Sequence, residues 1–180
     1  MYMVIDNGVK LNKEAVLSIS GGLDSTSLLI HLLDKDYDKV HAISFYYGQK
    51  NEIELQRLDL NLRYLKFHKF DITYTNMNLS SFMSKFNSSL TSDAIYVPTG
   101  KTDKNKMKLN FVPNRNAIFS SLIYGYAVSL AKEKDVFVDI GLGVHDGTHT
   151  IPPDSTRTFF DKLESAFKEG NVESDKINYY

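Results

Sequence analysis

The chain has no cysteine and no tryptophan, and only four prolines in 180 residues. Without cysteine there are no disulfides and no thiolate metal sites, so zinc is not expected. An excess of one charge is lacking too. Twenty-one Lys and Arg stand against 22 Asp and Glu, a net charge of −1, which argues against a protein whose main task is to hold a nucleic-acid backbone. No apolar run approaches the roughly 20 residues needed to span a bilayer. The segment Met1-Tyr2-Met3-Val4-Ile5-Asp6 also lacks a basic stretch followed by an apolar one. These absences lead us to expect a cytoplasmic protein with no membrane contact and no stable nucleic-acid binding. What the chain does have is 42% hydrophobic residues, with eleven Tyr and eleven Phe, enough for one domain over residues 1–180 with a real core.

Apolar strand-like runs alternate with amphipathic stretches. Strands are predicted at about 14–19, 40–46, 67–72 and 136–142, after a polar arm or short β-ribbon over residues 1–13. Helices are predicted at about 25–33, with Leu28, Leu29, Leu32 and Leu33 inward, and at 51–65, with Ile53, Leu58, Leu60, Leu62 and Leu65 among charges. Further helices are predicted at 115–132 and 159–169, and residues 78–110 read as a polar insertion with short helical or extended pieces. This alternation predicts an α/β fold, a three-layer sandwich with a mainly parallel, Rossmann-like sheet. Such sheets bind ligands at the carboxyl ends of their strands. Tyr47-Gly48-Gln49 and Gly141-Leu142-Gly143 are expected there.

Also at that edge is Ser20-Gly21-Gly22-Leu23-Asp24-Ser25, between an apolar strand and a helix start. Two glycines let several backbone N–H groups face one anion. The helix directs its partial positive end at the same point, and Ser20, Ser25 and Thr26 add hydroxyl donors. Asp24 fits such a site only if it caps the helix or works through bound magnesium. A Gly-Gly turn with an Asp or Ser cap needs no ligand at all, but the whole string in this setting points to a phosphate site. No Gly-Lys-Ser or Gly-Lys-Thr closes it, so it is not a Walker A loop.

The string resembles the PP-loop of the N-type ATP pyrophosphatases, which cleave ATP between its α- and β-phosphates and adenylate a substrate oxygen. Further blocks, His41-Ala42-Ile43-Ser44-Phe45-Tyr46-Tyr47-Gly48-Gln49, Ser88-Ser89-Leu90-Thr91 and Val112-Pro113-Asn114-Arg115-Asn116, are similar to those of the 7-cyano-7-deazaguanine (preQ0) synthases, over roughly residues 12–165. The resemblance implies an adenine nucleotide alpha hydrolase-like fold. It also implies an ATP-dependent ligase that turns 7-carboxy-7-deazaguanine and ammonia into the amide or nitrile, with ATP and Mg2+ as cofactors. Onto this chain it carries Ser20, Asp24 and Arg115 as catalytic residues. The nucleotide would be held by Leu17, Ser18, Ser20, Gly21, Gly22, Leu23, Asp24, Ser25, Thr26, Gln49, Arg115 and Asn116. The substrate would meet Gln49, Lys50, His145 and Asp154, whose carboxylate can accept from two adjacent N–H donors of a guanine-like edge. A metal site at His145 and His149 is not expected, because no third ligand is evident. His31, His41 and His68 read as structural.

The family pattern Gln-Arg-His becomes Gln49-Lys50-Asn51, and Tyr-Pro-Asp-Cys-Arg becomes Pro152-Pro153-Asp154-Ser155-Thr156. The family's terminal cluster of four cysteines has no counterpart. Two other readings stay open, a catalytically altered ATP-binding module and a related adenylating enzyme of nucleoside or tRNA modification. Aromatic residues beside the apolar helix 117–130 suggest a homodimer.

Overall fold

The computed structural model describes residues 12–49, 52–86, 88, 111–143 and 152–180. Residues 1–11 of the predicted arm over 1–13, most of the insertion, and the segment 144–151 lie outside them. Strand β1 (Lys13–Ser18) leads to helix α1 (Leu23–Leu33), β2 (Lys39–Tyr46), α2 (Glu52–Phe67), β3 (Ile72–Asn78) and a short α3 (Ser80–Met83). Then come α4 (Arg115–Lys134), β4 (Phe137–Leu142), a 3-10 turn at Pro153–Ser155, α5 (Arg157–Gly170) and β5 (Ile177–Tyr179).

Among the described residues these strands form one sheet in the order β3-β2-β1-β4-β5, and every pairing is parallel. The alternation along β1 explains the three layers. Ala15, Leu17 and Ile19 face α1 and α2, packing with Leu29, Leu32, Leu58 and Leu62. Val16 faces the other way, with Ile43, Phe45, Val138 and Ile140, onto Ile123, Ala127 and Leu130 of α4. The chain winds outward from β1 through β2 to β3, then returns to β1's other side with β4. The crevice of such a doubly wound sheet therefore opens at the carboxyl ends of β1 and β4.

The third strand is the main correction. Phe67, expected to open it, closes α2 and is 82% exposed. The backbone N–H of His68 still bonds to the carbonyl of Tyr64, and Lys69 turns the chain at φ 62°. The pairing with β2 begins only at Ile72, opposite Val40. Phe67 and Phe70 mimic a strand start, whereas the true edge strand is polar at Thr73, Thr75 and Asn76 because it is half-exposed. Strand β5 was not expected: three residues carry too short an alternation to read.

At the amino-terminal end of the sheet a buried polar group replaces apolar packing. Nε2 of His41 lies 2.7 Å from Glu14 Oε2, and Lys134 Nζ reaches both Glu14 oxygens at 2.9 and 3.0 Å. Thr73 Oγ1 and Tyr126 Oη lie 2.8 and 3.0 Å from His41 Nδ1. The neutral ring with its proton on Nε2 fits this setting, donating to Glu14 and accepting at Nδ1 a hydroxyl proton from Thr73 or Tyr126. Burial holds the His41 pKa below its ordinary value, although Glu14 pulls the other way. The unfolded chain therefore binds more protons below about pH 6.5. Stability from this group is complete above that pH and is lost as pH falls through it, by at most about 1.4 kcal/mol per pH unit. Melting temperatures measured from pH 7.5 to 5.5 should fall, with a shallower slope in His41→Gln.

Candidate active site

The glycine string forms the turn that joins β1 to α1, at the crevice. Gly21 adopts φ +84°, and a Cβ there would lie 2.2 Å from the Glu54 carbonyl oxygen. The loop backbone is thus wedged against α2, which only glycine permits. Gly143, just past β4, also packs tightly: its Cβ would stand 2.9 Å from Ser25 Cα. Ser25 is buried and ties the turn together. Its Oγ accepts the backbone N–H of Ser20 at 3.2 Å, lies 3.1 Å from Ser20 Oγ and donates to the Gly22 carbonyl at 3.3 Å. The Gly22 N–H donates to Ser20 Oγ at 3.2 Å.

Gly22 is the N-cap of α1 and makes no side-chain cap bond. Asp24, in the first turn, is exposed and has no hydrogen bond or ion pair to any described residue. The capping explanation for this carboxylate therefore fails, which leaves it available to a ligand. Leu23 is 82% exposed beside it. Ser20 is exposed, Thr26 and Ser18 are half-buried, and Leu17 is a core residue.

Arg115 opens α4 behind Asn114, which takes the left-handed conformation at φ 56°. Its guanidinium reaches over the end of β2, with Nη1 3.4 Å from Tyr47 Oη and its carbon 5.9 Å from the ring centre. β2 adjoins β1, so the cation stands at the sheet edge that carries the glycine turn. Gln49 is engaged with the backbone: Oε1 accepts the Tyr47 N–H at 2.8 Å, and Nε2 donates to the Phe45 carbonyl at 3.2 Å. Its amide closes the end of β2 and shapes the turn at Gly48.

The side chain of Asn116 bridges Arg115, whose Nε donates to its Oδ1 at 3.3 Å, and residues 154 and 155. Its Nδ2 donates to the Asp154 carbonyl at 2.9 Å and to Ser155 Oγ at 3.0 Å, and its backbone N–H points at Asp154 Oδ2 at 3.4 Å. Asp154 is only 7% exposed and places its charge at the amino end of α4, where the helix dipole favours an anion. The structure thus joins Arg115, Asn116 and Asp154. Lys50 and His145 lie outside the described residues. Tyr47 and Gly143 were expected at this edge of the sheet and Ser155 in the family's Cys position, but the contacts they make here, with Arg115, Ser25 and Asn116, left no signal in the sequence.

Residues 14–179 match the family described as queuosine biosynthesis protein QueC. The chain belongs to that family. It is 40% identical over 165 residues to the 7-cyano-7-deazaguanine synthase of Hahella chejuensis, covering 91% of this chain and 66% of that protein. The synthase of a Marinomonas species is 38% identical, covering 93% of this chain and 71% of its own. The synthase of Caldicellulosiruptor saccharolyticus is 35% identical over 150 residues. The chain spans 62% of that last protein's length. The QueC match begins at Glu14 in β1 and runs through the glycine turn, Arg115 and Asp154 to Tyr179 in β5, so every described candidate residue lies inside it.

Proposed function

We propose that the chain, acting as a single cytoplasmic domain, is an ATP-dependent carbon-nitrogen ligase. It adenylates the carboxylate of 7-carboxy-7-deazaguanine and aminates it with ammonia, first to the amide and then to the nitrile preQ0 for 7-deazaguanine nucleosides. The observation that carries this reading is the Ser20–Ser25 turn at the crevice of a QueC-family sheet, with Asp24 on it neither capping the helix nor paired to any described residue.

In the first step a substrate carboxylate oxygen attacks the α-phosphorus and the bond to the bridging oxygen breaks, releasing pyrophosphate. The backbone N–H groups of the turn and the start of α1 stabilise the charge that gathers there, and Arg115, held by Tyr47, adds a second cation. Asp24, a hard oxygen donor with no partner among the described residues, fits a magnesium ion, which when bound would neutralise phosphate charge. Ammonia then attacks the acyl carbon, AMP departs and a proton is lost to solvent. Repeating the activation on the amide oxygen, with loss of two N–H protons, gives the nitrile and a second AMP. Asp154 accepts from the amidine-like edge of the base.

Incubation with ATP, magnesium, ammonium and the acid should release AMP and pyrophosphate only when all are present. ATP binding without release would favour an idle nucleotide-binding module instead.

The reading includes a homodimer, though not through helix 117–130. There Ile123, Tyr124 and Ala127 are spent on the chain's own core. On α2, Ile53, Leu60 and Phe67 recur every seven residues opposite the buried Leu58, Leu62 and Leu65, and stand 51, 66 and 82% exposed. An antiparallel pair centred on Leu60 would set Ile53 of each copy against Phe67 of the other. Sedimentation should show a dimer that Leu60→Asp converts to monomer. A monomeric wild type would contradict this.

A further inference from the structure

We propose that Asn116 is a positioning residue for the substrate, and that Ser155 is its chain-specific counterpart. This rests on the ligase reading above. The side chain of Asn116 uses both its ends. Nδ2 fixes Asp154 through its carbonyl at 2.9 Å and Ser155 through Oγ at 3.0 Å, while Oδ1 accepts from Arg115 Nε at 3.3 Å. The same residue's backbone N–H addresses the Asp154 carboxylate. One amide therefore sets the distance between the cation that meets the nucleotide and the carboxylate that meets the base. That distance matters because the acid must approach the α-phosphorus in line, and small displacements there cost rate steeply.

Ser155 stands where the family pattern has cysteine. A hydroxyl is a good acceptor and a thiol a weak one, so in this chain the 154–155 turn is tied to α4 more firmly than a cysteine would allow. The turn is short, Pro152 and Pro153 precede it, and Ser155 N–H bonds to the Pro152 carbonyl. Besides that bond and the one from Thr156 Oγ1 to the Pro153 carbonyl at 3.2 Å, its hydrogen bonds among the described residues run to Asn116.

The test uses the full chain and separates two affinities: the Michaelis constant for 7-carboxy-7-deazaguanine in AMP release, and the dissociation constant for ATP by equilibrium dialysis without the acid. Asn116→Ala should raise the first about tenfold, as expected for two lost hydrogen bonds. Asn116→Asp loses the Nδ2 donors and sets a carboxylate beside Arg115 and Asp154, so it should raise the constant for the acid at least as much. Ser155→Ala and the milder Ser155→Cys should raise it severalfold while sparing ATP. A merely structural role would lower the melting temperature and weaken both ligands together. The proposal is overturned if the acid constant is unchanged in the Asn116 variants, or if Ser155→Ala weakens ATP binding as much as it weakens binding of the acid. No AMP release by the unsubstituted protein would overturn the ligase reading and this inference with it. Release with an unmoved acid constant would overturn this inference alone.

Discussion

Asp24→Asn is expected to cut pyrophosphate release by about a hundredfold or more while the fold stays intact. The residue occupies a first-turn position where an acid helps the helix by about 0.3–1 kcal/mol. That small contribution is all that stability should lose, because α1 is capped by Gly22 without any side-chain bond and Asp24 pairs with no described residue. A negative charge facing an anion site is unfavourable unless a cation stands between them. Asparagine preserves the shape and removes only the charge. Near-normal release in this variant, or a melting temperature that collapses along with the activity, would contradict the assignment.

Gly21→Ala should have the largest effect on folding. The position has φ +84°, which alone costs an alanine about 1 kcal/mol. Its Cβ would also sit 2.2 Å from the Glu54 carbonyl oxygen and 3.0 Å from Leu58 Cβ. The clash is with main chain, so no rotamer change relieves it. Either the turn leaves its anion-facing conformation or α2 lifts from Leu17 and Ile19. The expected cost is about 3 kcal/mol or more, measured by denaturant unfolding, together with loss of ATP binding. Gly48 takes φ +82° but has nothing within 4 Å of its Cβ site, so alanine there should cost only the strain of the conformation. Equal stabilities for the two variants would contradict the wedge between the turn and α2.

The sequence revealed the layers because the buried parallel strands read as nearly continuous apolar runs, as in Ala15–Leu17 and Ala42–Phe45. It misled at β3, where an edge strand with one paired side can be polar, and at β5, where three residues lack a period. The phosphate turn was legible because glycine spacing encodes backbone geometry locally. The pairing of Asn116 with Asp154 and Ser155 was not, since it joins residues 38 and 39 positions apart and depends on how α4 meets the turn before α5. Which apolar residues of α2 face the core was left open by the sequence: Leu58, Leu62 and Leu65 are buried, while Ile53 and Leu60 are exposed.

The central claim is that the acid's own oxygen attacks the α-phosphorus at the Ser20–Ser25 turn. The most direct measurement supplies 7-carboxy-7-deazaguanine labelled with oxygen-18 in both carboxylate positions, together with ATP, magnesium and ammonium, and weighs the nucleotide and phosphate products. The account predicts AMP carrying one heavy oxygen and unlabelled pyrophosphate, with a second labelled AMP for every nitrile formed. ADP with labelled inorganic phosphate, or AMP without label, would contradict it.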